Sequence, residues 1–300
     1  MPEGGPEFGL VGYKLASFAA QALPGSVTAP IASLLGAGLS QAMRGKRSMV
    51  ERHLQRAKGA RLNDVALHRA VQAAFHSYAR YWVESFRLPS LSAEEVEDGF
   101  AFHGVDHLFD AIEKGNGVIL ALPHLGGWEW AGRWLADQGL PITVVVEPLA
   151  DKEIFEWFAS FRRSLGMTVV PLGPEAGTAS MRALKNNAVL CLMCDRDIGG
   201  GGGVEVEFFG EKTRLPGGPA TLALRAGAPL LPTAVYFRGR TGHLAIVRPP
   251  LELERVGRLR EDVTRVTQAL AYELEGLIRV APEQWHLFQP NWPSDPGYKG

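Results

Sequence analysis

His124 and Glu129 stand five residues apart in the segment Val118-Ile119-Leu120-Ala121-Leu122-Pro123-His124-Leu125-Gly126-Gly127-Trp128-Glu129. Their types are those of a general base and a carboxylate partner. The apolar run reads as a buried strand that ends at Pro-His, passes two glycines and enters a helix. A histidine at the carboxyl end of a buried strand is where α/β folds place chemistry. A carboxylate beside it fixes the tautomer and stabilises the imidazolium. In one unbroken helix, residues five apart lie about 140° apart around the axis. The pair therefore meets only across a bend, which Gly126-Gly127 allows at low steric cost. Without that bend, Glu129 would merely complement the helix dipole.

A second constellation, Asp195-Arg196-Asp197, follows the apolar run 188–194 directly. Two carboxylates and a guanidinium at a strand end fit a site on the same sheet edge as His124. Either acid can orient the histidine, and Arg196 suits an anionic group or a carboxylate. A third block contains Arg214, Gly217 and Gly218 just before a helix beginning at Pro219. A helix N-terminus with a flanking Arg is a ready anion site. Glu147 at a strand end and Arg162 on a helix are further candidates for the site wall. Cys191 and Cys194 fall in one apolar strand, where alternation sends them to opposite faces. With no second cysteine pair to complete a zinc site, they read as buried core thiols of a reducing compartment. No metal cluster is expected.

These residues need elements to position them. From about Gly99 the chain alternates: strands at Phe100–His103, Val118–Leu122, 142–147, 168–171, 188–194, 204–209, 230–237 and 243–247. Between them lie helices at 106–113, 128–138, 152–165, 175–185 and 219–226, and a long helix closes the series at 259–280. That rhythm argues for an α/β fold with a mostly parallel central sheet flanked by helices. Residues 8 to 87 read as helical throughout, with Ser26 and Asp64 as N-caps. One domain over 1–300 is expected, made of an N-terminal helical region, 1–96, and an α/β core, 97–300. The glycine run 199–203 reads as a mobile loop.

Apolar content of 46% and charged content of 21% suit a protein with a real core, and a net charge of −1 points to no partner by itself. The distribution of charge says more. Between 44 and 61 there are seven basic residues, Arg44, Lys46, Arg47, Arg52, Arg56, Lys58 and Arg61, against one acid, Glu51. Such a stretch attracts phosphates. Residues 8–39 are apolar with Lys14 almost their only charge, broken by Pro24-Gly25 and Pro30. No run approaches about twenty uninterrupted apolar residues, so no spanning helix is expected. Glu3 and Glu7 stand where a signal peptide would carry basic residues. The 8–39 stretch reads as two short helices lying in a membrane interface or packed on the domain.

H-L-G-G-W-E at 124–129 matches the H-x-x-x-x-[D/E] signature of the glycerolipid acyltransferase superfamily. The segment C-D-R-D-I-G at 194–199, the block F-F-G-E-K-T-R-L-P-G-G-P-A at 208–220 and the run Trp285-His286-Leu287-Phe288-Gln289-Pro290 resemble its bacterial lipid A biosynthesis acyltransferase branch. Within that branch the chain is most similar to the phosphatidylinositol mannoside acyltransferases. The resemblance covers nearly the whole chain. It implies an acyl-CoA-dependent O-acyltransferase, peripheral on the cytoplasmic face of the cell membrane. Its donor would be acyl-CoA, a co-substrate, with no other cofactor. Its acceptor would be a mannose hydroxyl of phosphatidylinositol mannoside, and nucleic acid is not among its partners. The anionic inner leaflet would be met by the N-terminal helices and the 44–61 stretch. The family's histidine falls on His124 and its motif carboxylate on Glu129, where the mannoside enzymes commonly read Asn-Trp-Asp for Gly127-Trp128-Glu129. His124 would take the acceptor proton, one of Glu129, Asp195 or Asp197 would stabilise the imidazolium, and the amides of Gly126 and Gly127 would serve the oxyanion. With no G-x-S-x-G elbow, direct attack is expected. The competing readings are an acyl-CoA thioesterase and a non-catalytic lipid-binding protein.

Overall fold

The computed structural model describes residues 9–59, 62–198 and 203–298. Four helices come first, α1 (Leu10–Gln21), α2 (Gly25–Ala42), α3 (Arg44–Lys58) and α4 (Asp64–Arg87). A short α5 (Ala93–Asp98) leads into β1 (Phe100–His103), α6 (Val105–Glu113), β2 (Val118–Leu122), α7 (Trp128–Asp137) and β3 (Ile142–Val146). Then follow α8 (Lys152–Ser164), β4 (Met167–Pro171), α9 (Ala176–Lys185), β5 (Val189–Met193), β6 (Gly203–Phe208) and β7 (Glu211–Pro216). The series ends with α10 (Gly218–Ala226), β8 (Leu230–Arg238), β9 (Gly242–Val247) and α11 (Leu259–Val280). The seven-stranded sheet has the order β1-β9-β8-β2-β5-β3-β4. Five strands, from β8 to β4, run parallel, while β9 is antiparallel to β8 and parallel to β1. The expected mostly parallel α/β sheet is therefore present. β6 and β7 form a separate antiparallel pair.

β2 and β5 are the central neighbours, paired from Val118 with Val189 to Leu122 with Met193. Burial on both faces explains why β2 is apolar at every position. Side chains alternate between two cores. Val118, Leu120, Leu122 and Val189 meet Trp130, Trp134 and Leu135 of α7 on one face. Ile119, Ala121, Leu190, Leu192 and Cys194 meet α9, α10 and α11 on the other. Cys191 packs against the first core, opposite Cys194, and burial pushes its thiol up to about 12.

Several expectations are corrected. The helical region is broken between α1 and α2, at Met43, and after Gly59, which takes a left-handed C-cap with φ 66°. Ser26 lies inside α2, and Asn63 rather than Asp64 caps α4, its side chain accepting from Ala66 N at 2.9 Å. Helix α5, with its Ser92–Glu95 capping box, and strand β7 were not anticipated. Of the glycine run, 199–202 lie outside the described residues, as do Arg61, Glu3 and Glu7. Part of the basic stretch is tied up internally, while Arg44 and Lys58 are exposed. Arg52 Nε and Arg56 Nη1 donate to Asp295 at 3.1 and 2.8 Å, Arg56 Nη2 donates to Glu211 at 3.1 Å, and Arg47 pairs with Glu51. Arg52 and Arg56 thereby tether the segment after α11 to α3.

Candidate active site

His124 follows β2 by two residues and is held in a loop that is itself bridged, Leu125 to Trp285 and Gly126 to Val235. Gly126 has φ +61°, and a Cβ there would fall 2.0 Å from the Val235 carbonyl oxygen. A Cβ on Gly127 would fall 2.6 Å from the His243 ring. Both positions require glycine because backbone and ring approach so closely. The bend expected from the two glycines is real, but its geometry sends Glu129 elsewhere.

The carboxylate that reaches His124 is Asp195, at the end of the neighbouring strand β5. His124 Nδ1 lies 2.7 Å from Asp195 Oδ1, and His124 N donates to Asp195 Oδ2 at 3.0 Å. Trp285 Nε1 donates to the same Oδ2 at 2.7 Å, and Asn291 Nδ2 donates to the Asp195 carbonyl at 3.0 Å. Burial alone would raise the Asp195 carboxyl, yet the His124 ring and these donors outweigh it and hold it below the usual range. An ionised carboxylate only accepts, so Nδ1 carries a proton and Nε2 is the nitrogen turned away from Asp195. His286, behind the pair, donates its backbone N–H to the His124 carbonyl at 2.7 Å. Burial pushes its ring down to about 3, so it stays neutral.

Glu129, buried at the cavity wall, is bound by Arg162 instead. Arg162 Nε donates to its two oxygens at 3.1 and 3.3 Å, and the Tyr81 hydroxyl donates at 3.2 Å. Burial raises the Glu129 carboxyl, but the Arg162 charge and hydrogen bonds bring it below the usual range. The expected partnership with His124 is thus replaced by a buried ion pair joining α7 to α8. Asp197, two residues past Asp195, does not share its orientation. It is half-buried in the cavity wall, with Oδ2 2.3 Å from where a Cβ on Gly203 would sit. Arg196 and Glu147 pair with each other and both line the cavity. Arg214 lies outside it: on β7 it points outward, exposed, and donates to the Gly203 carbonyl at 2.9 Å. The amides of Gly126 and Gly127 already donate to the Gln284 and Val235 carbonyls at 2.9 and 3.1 Å. They are spent in the fold and not available to an oxyanion.

His124, Trp128, Glu129, Arg162, Glu147 and Asp197 border one cavity of about 1110 Å³. One arm runs between the sheet and α7 and is walled by Phe100, Phe102, Leu108, Trp134, Leu135 and Met167. Such a lining takes a hydrocarbon chain and gives it no polar partner. The arrangement is a base held in one tautomer at the mouth of an apolar slot. Trp285, which with Asn291 fixes Asp195, falls in the run 285–290 that carries the family resemblance, but nothing in spacing ties either residue to Asp195, since they lie 90 or more residues from it.

Residues 11–294 match the family model described as bacterial lipid A biosynthesis acyltransferase. A relative from Mycolicibacterium smegmatis named phosphatidylinositol mannoside acyltransferase is 40% identical over 266 residues, spanning 87% of this chain and 85% of its own length. A protein of the same name from Mycobacterium tuberculosis is 42% identical over 229 residues, spanning 74% and 70%. A lipid A biosynthesis acyltransferase from Haemophilus influenzae is 24% identical over 197 residues, spanning 65% and 59%. With a match of that extent to the family model and relatives of 40% and 42% identity, this chain belongs to the bacterial lipid A biosynthesis acyltransferase family.

Proposed function

We propose that the chain transfers a fatty acyl group from acyl-CoA to a mannose hydroxyl of a phosphatidylinositol mannoside, with His124 as general base. The observation that carries this reading is Nε2 of His124, turned away from Asp195, at the head of the apolar arm. The acceptor hydroxyl gives its proton to Nε2 as its oxygen attacks the thioester carbonyl. The new C–O bond forms, the C–S bond breaks, and the departing thiolate takes the proton from the imidazolium. The products are an ester and free coenzyme A. The relatives' names support the acceptor class. The test is a mass-spectrometric acceptor screen with palmitoyl-CoA. Acyl-mannoside is the expected product, and free palmitate at the same rate with or without acceptor would make the protein a thioesterase instead.

Trp285→Phe keeps most of the ring volume and removes one hydrogen bond to a charged carboxylate. Turnover should fall about ten- to a hundredfold. Trp292→Phe is the control: its Nε1 donates to the Phe208 carbonyl at 3.0 Å, away from Asp195. It should lower the melting temperature with little change in rate per folded molecule.

Contact with the membrane is part of the same proposal. Among the described residues no helix is long and apolar enough to cross a bilayer. On α1, Val11, Leu15 and Phe18 are 70, 64 and 77% exposed at three-to-four spacing, while Tyr13, Ser17 and Ala20 face inward. Leu34 on α2 is 76% exposed. This face would lie in the interface of the cytoplasmic leaflet, as a peripheral anchor. With part of the basic stretch tied internally, apolar burial carries most of the attraction. Replacing Leu15 and Phe18 by Ser should weaken flotation with anionic liposomes by roughly tenfold or more. Unchanged binding after deletion of residues 1–43 would overturn the assignment.

A further inference from the structure

One helix supports the catalytic loop from behind at three points. On α4, Ser77, Tyr81 and Glu84 stand four and three residues apart, so they share one face, and all three are buried. Ser77 Oγ lies 2.8 Å from Nε2 of His286, whose backbone N–H holds the His124 carbonyl. The Tyr81 hydroxyl donates to Glu129 in the first turn of α7. Glu84 Oε2 lies 2.8 Å from Nε2 of His243. The first two contacts reach residues already tied to the site. The third forms a buried acid–base pair that the mechanism leaves unused.

The pair meets the loop at Gly127. β9 pairs with β8 so that His243 stands opposite Phe237, two residues beyond the Val235 carbonyl that accepts from Gly127 N–H. The His243 ring stacks on Trp130, with centroids 4.1 Å apart and planes at 22°. Its Cδ2–Nε2 edge faces Gly127 and excludes a side chain there. Gly127 is the residue at which the chain passes from the loop into α7, with φ −107° and ψ 52°. Its place therefore sets the path of His124, three residues before it. Arg80 completes the arrangement. It donates to Glu84 Oε1 at 2.6 Å and to the Gly239 and Gly242 carbonyls at 2.8 and 3.2 Å, which locks the carboxylate to the β8–β9 turn.

Stability alone is a poor account of the pair. The contact between Nε2 and Glu84 lacks the alignment of a hydrogen bond, and His243 Nδ1 has no hydrogen-bond partner among the described residues. Burying an acid and a base on those terms costs desolvation that apolar side chains of similar volume avoid. What the carboxylate provides is control of a flat ring wedged between Trp130 and a glycine. Neither Glu84 nor His243 borders the cavity, so the pair acts on the loop and not on a substrate.

We propose that Glu84 and His243 are positioning residues for acyl transfer. Glu84 holds the His243 ring against Gly127, and the Gly127 bend in turn aims Nε2 of His124 at the acceptor hydroxyl. The inference rests on the reading of His124 as the general base.

The test is Glu84→Met, with Glu84→Gln and Asn63→Ala beside it. Glu84→Met keeps most of the volume and removes the tether, and its kcat per folded molecule should fall about ten- to a hundredfold. KM for palmitoyl-CoA and for the mannoside acceptor should change little. Glu84→Gln should recover most of the loss, because an amide pairs with one tautomer of the ring or the other. Asn63→Ala removes the cap at the far end of α4. It should lower the melting temperature and leave kcat unchanged. A second readout needs no turnover. The proton between His124 Nδ1 and Asp195 should give a downfield ¹H NMR signal, assigned by its loss in His124→Ala. Glu84→Met should shift or broaden that signal, and Asn63→Ala should not. If Glu84→Met does not fold, Glu84→Asp keeps the charge, shortens the reach and should show the same loss of kcat to a smaller degree. Unchanged kcat in the folded variant overturns the proposal, as does a loss carried by KM or one that Asn63→Ala matches. A signal that answers to Glu84 in a protein that acylates no acceptor would sink the acyl-transfer reading and leave the positioning role standing.

Discussion

His124→Ala should lower acyl transfer by about 10²–10⁴-fold, the range that a positioned general base contributes, while the protein remains folded. Asp195 keeps its donors from Trp285 Nε1 and the residue 124 backbone N–H, so the truncation does not leave that carboxylate bare. Asp195→Asn should fall by a comparable factor for a different reason. The amide can donate to Nδ1, which moves the ring proton to Nε2 and removes the base from the acceptor side. Coenzyme A release in the presence of acceptor, followed continuously, reads both variants. A His124→Ala protein with near-normal turnover would sink the mechanism.

Arg162→Met should cost about 3–5 kcal/mol of stability, since it strands the buried Glu129 carboxylate without its partner. Glu129→Gln alone should also destabilise, because it removes the charge that Arg162 was buried against. Replacing both together should cost much less than the sum of the two, the sign of a direct pair. Because Glu129 is held below its usual range, its contribution is present at neutral pH. It should be lost only as the pH falls through that lowered value. Urea denaturation at neutral and acidic pH measures each term. If Glu129→Gln kept full stability yet abolished turnover, Glu129 would belong with His124 in the chemistry after all.

The strand-and-helix order was legible because each buried strand is a short apolar run and each helix has one apolar side. The second half of the hairpin was not, although Thr213 and Leu215 alternate inward against Lys212 and Arg214. Helix α5 was announced by Ser92 and Glu95, but six residues leave little room for a periodic pattern. In the site, the histidine was legible and its partner was not. Which acid reaches His124 depends on β5 pairing with β2, a contact between residues about 70 apart. Glu129 had the right spacing for a bent motif, and it lost to Arg162, 33 residues away, which supplies a full charge inside the core. Nor could the sequence tie Arg52 and Arg56 of the basic stretch to Asp295, some 240 residues away.

The segment from Trp285 to Asp295 also sets the order in which the protein comes to life. It fixes Asp195 from 90 and 96 residues away, and it is anchored to α3 across 243 residues. Chains leave the ribosome N-terminal end first. β2, β5 and the apolar arm are all synthesised well before Trp285 appears. Until then the Asp195 carboxylate lacks the indole that steadies it, and the loop carrying His124 lacks its bridge to residue 285. A nascent chain therefore holds its apolar slot before its histidine is fixed, and the site is completed late, when the 285–295 segment closes onto Asp195 and α3.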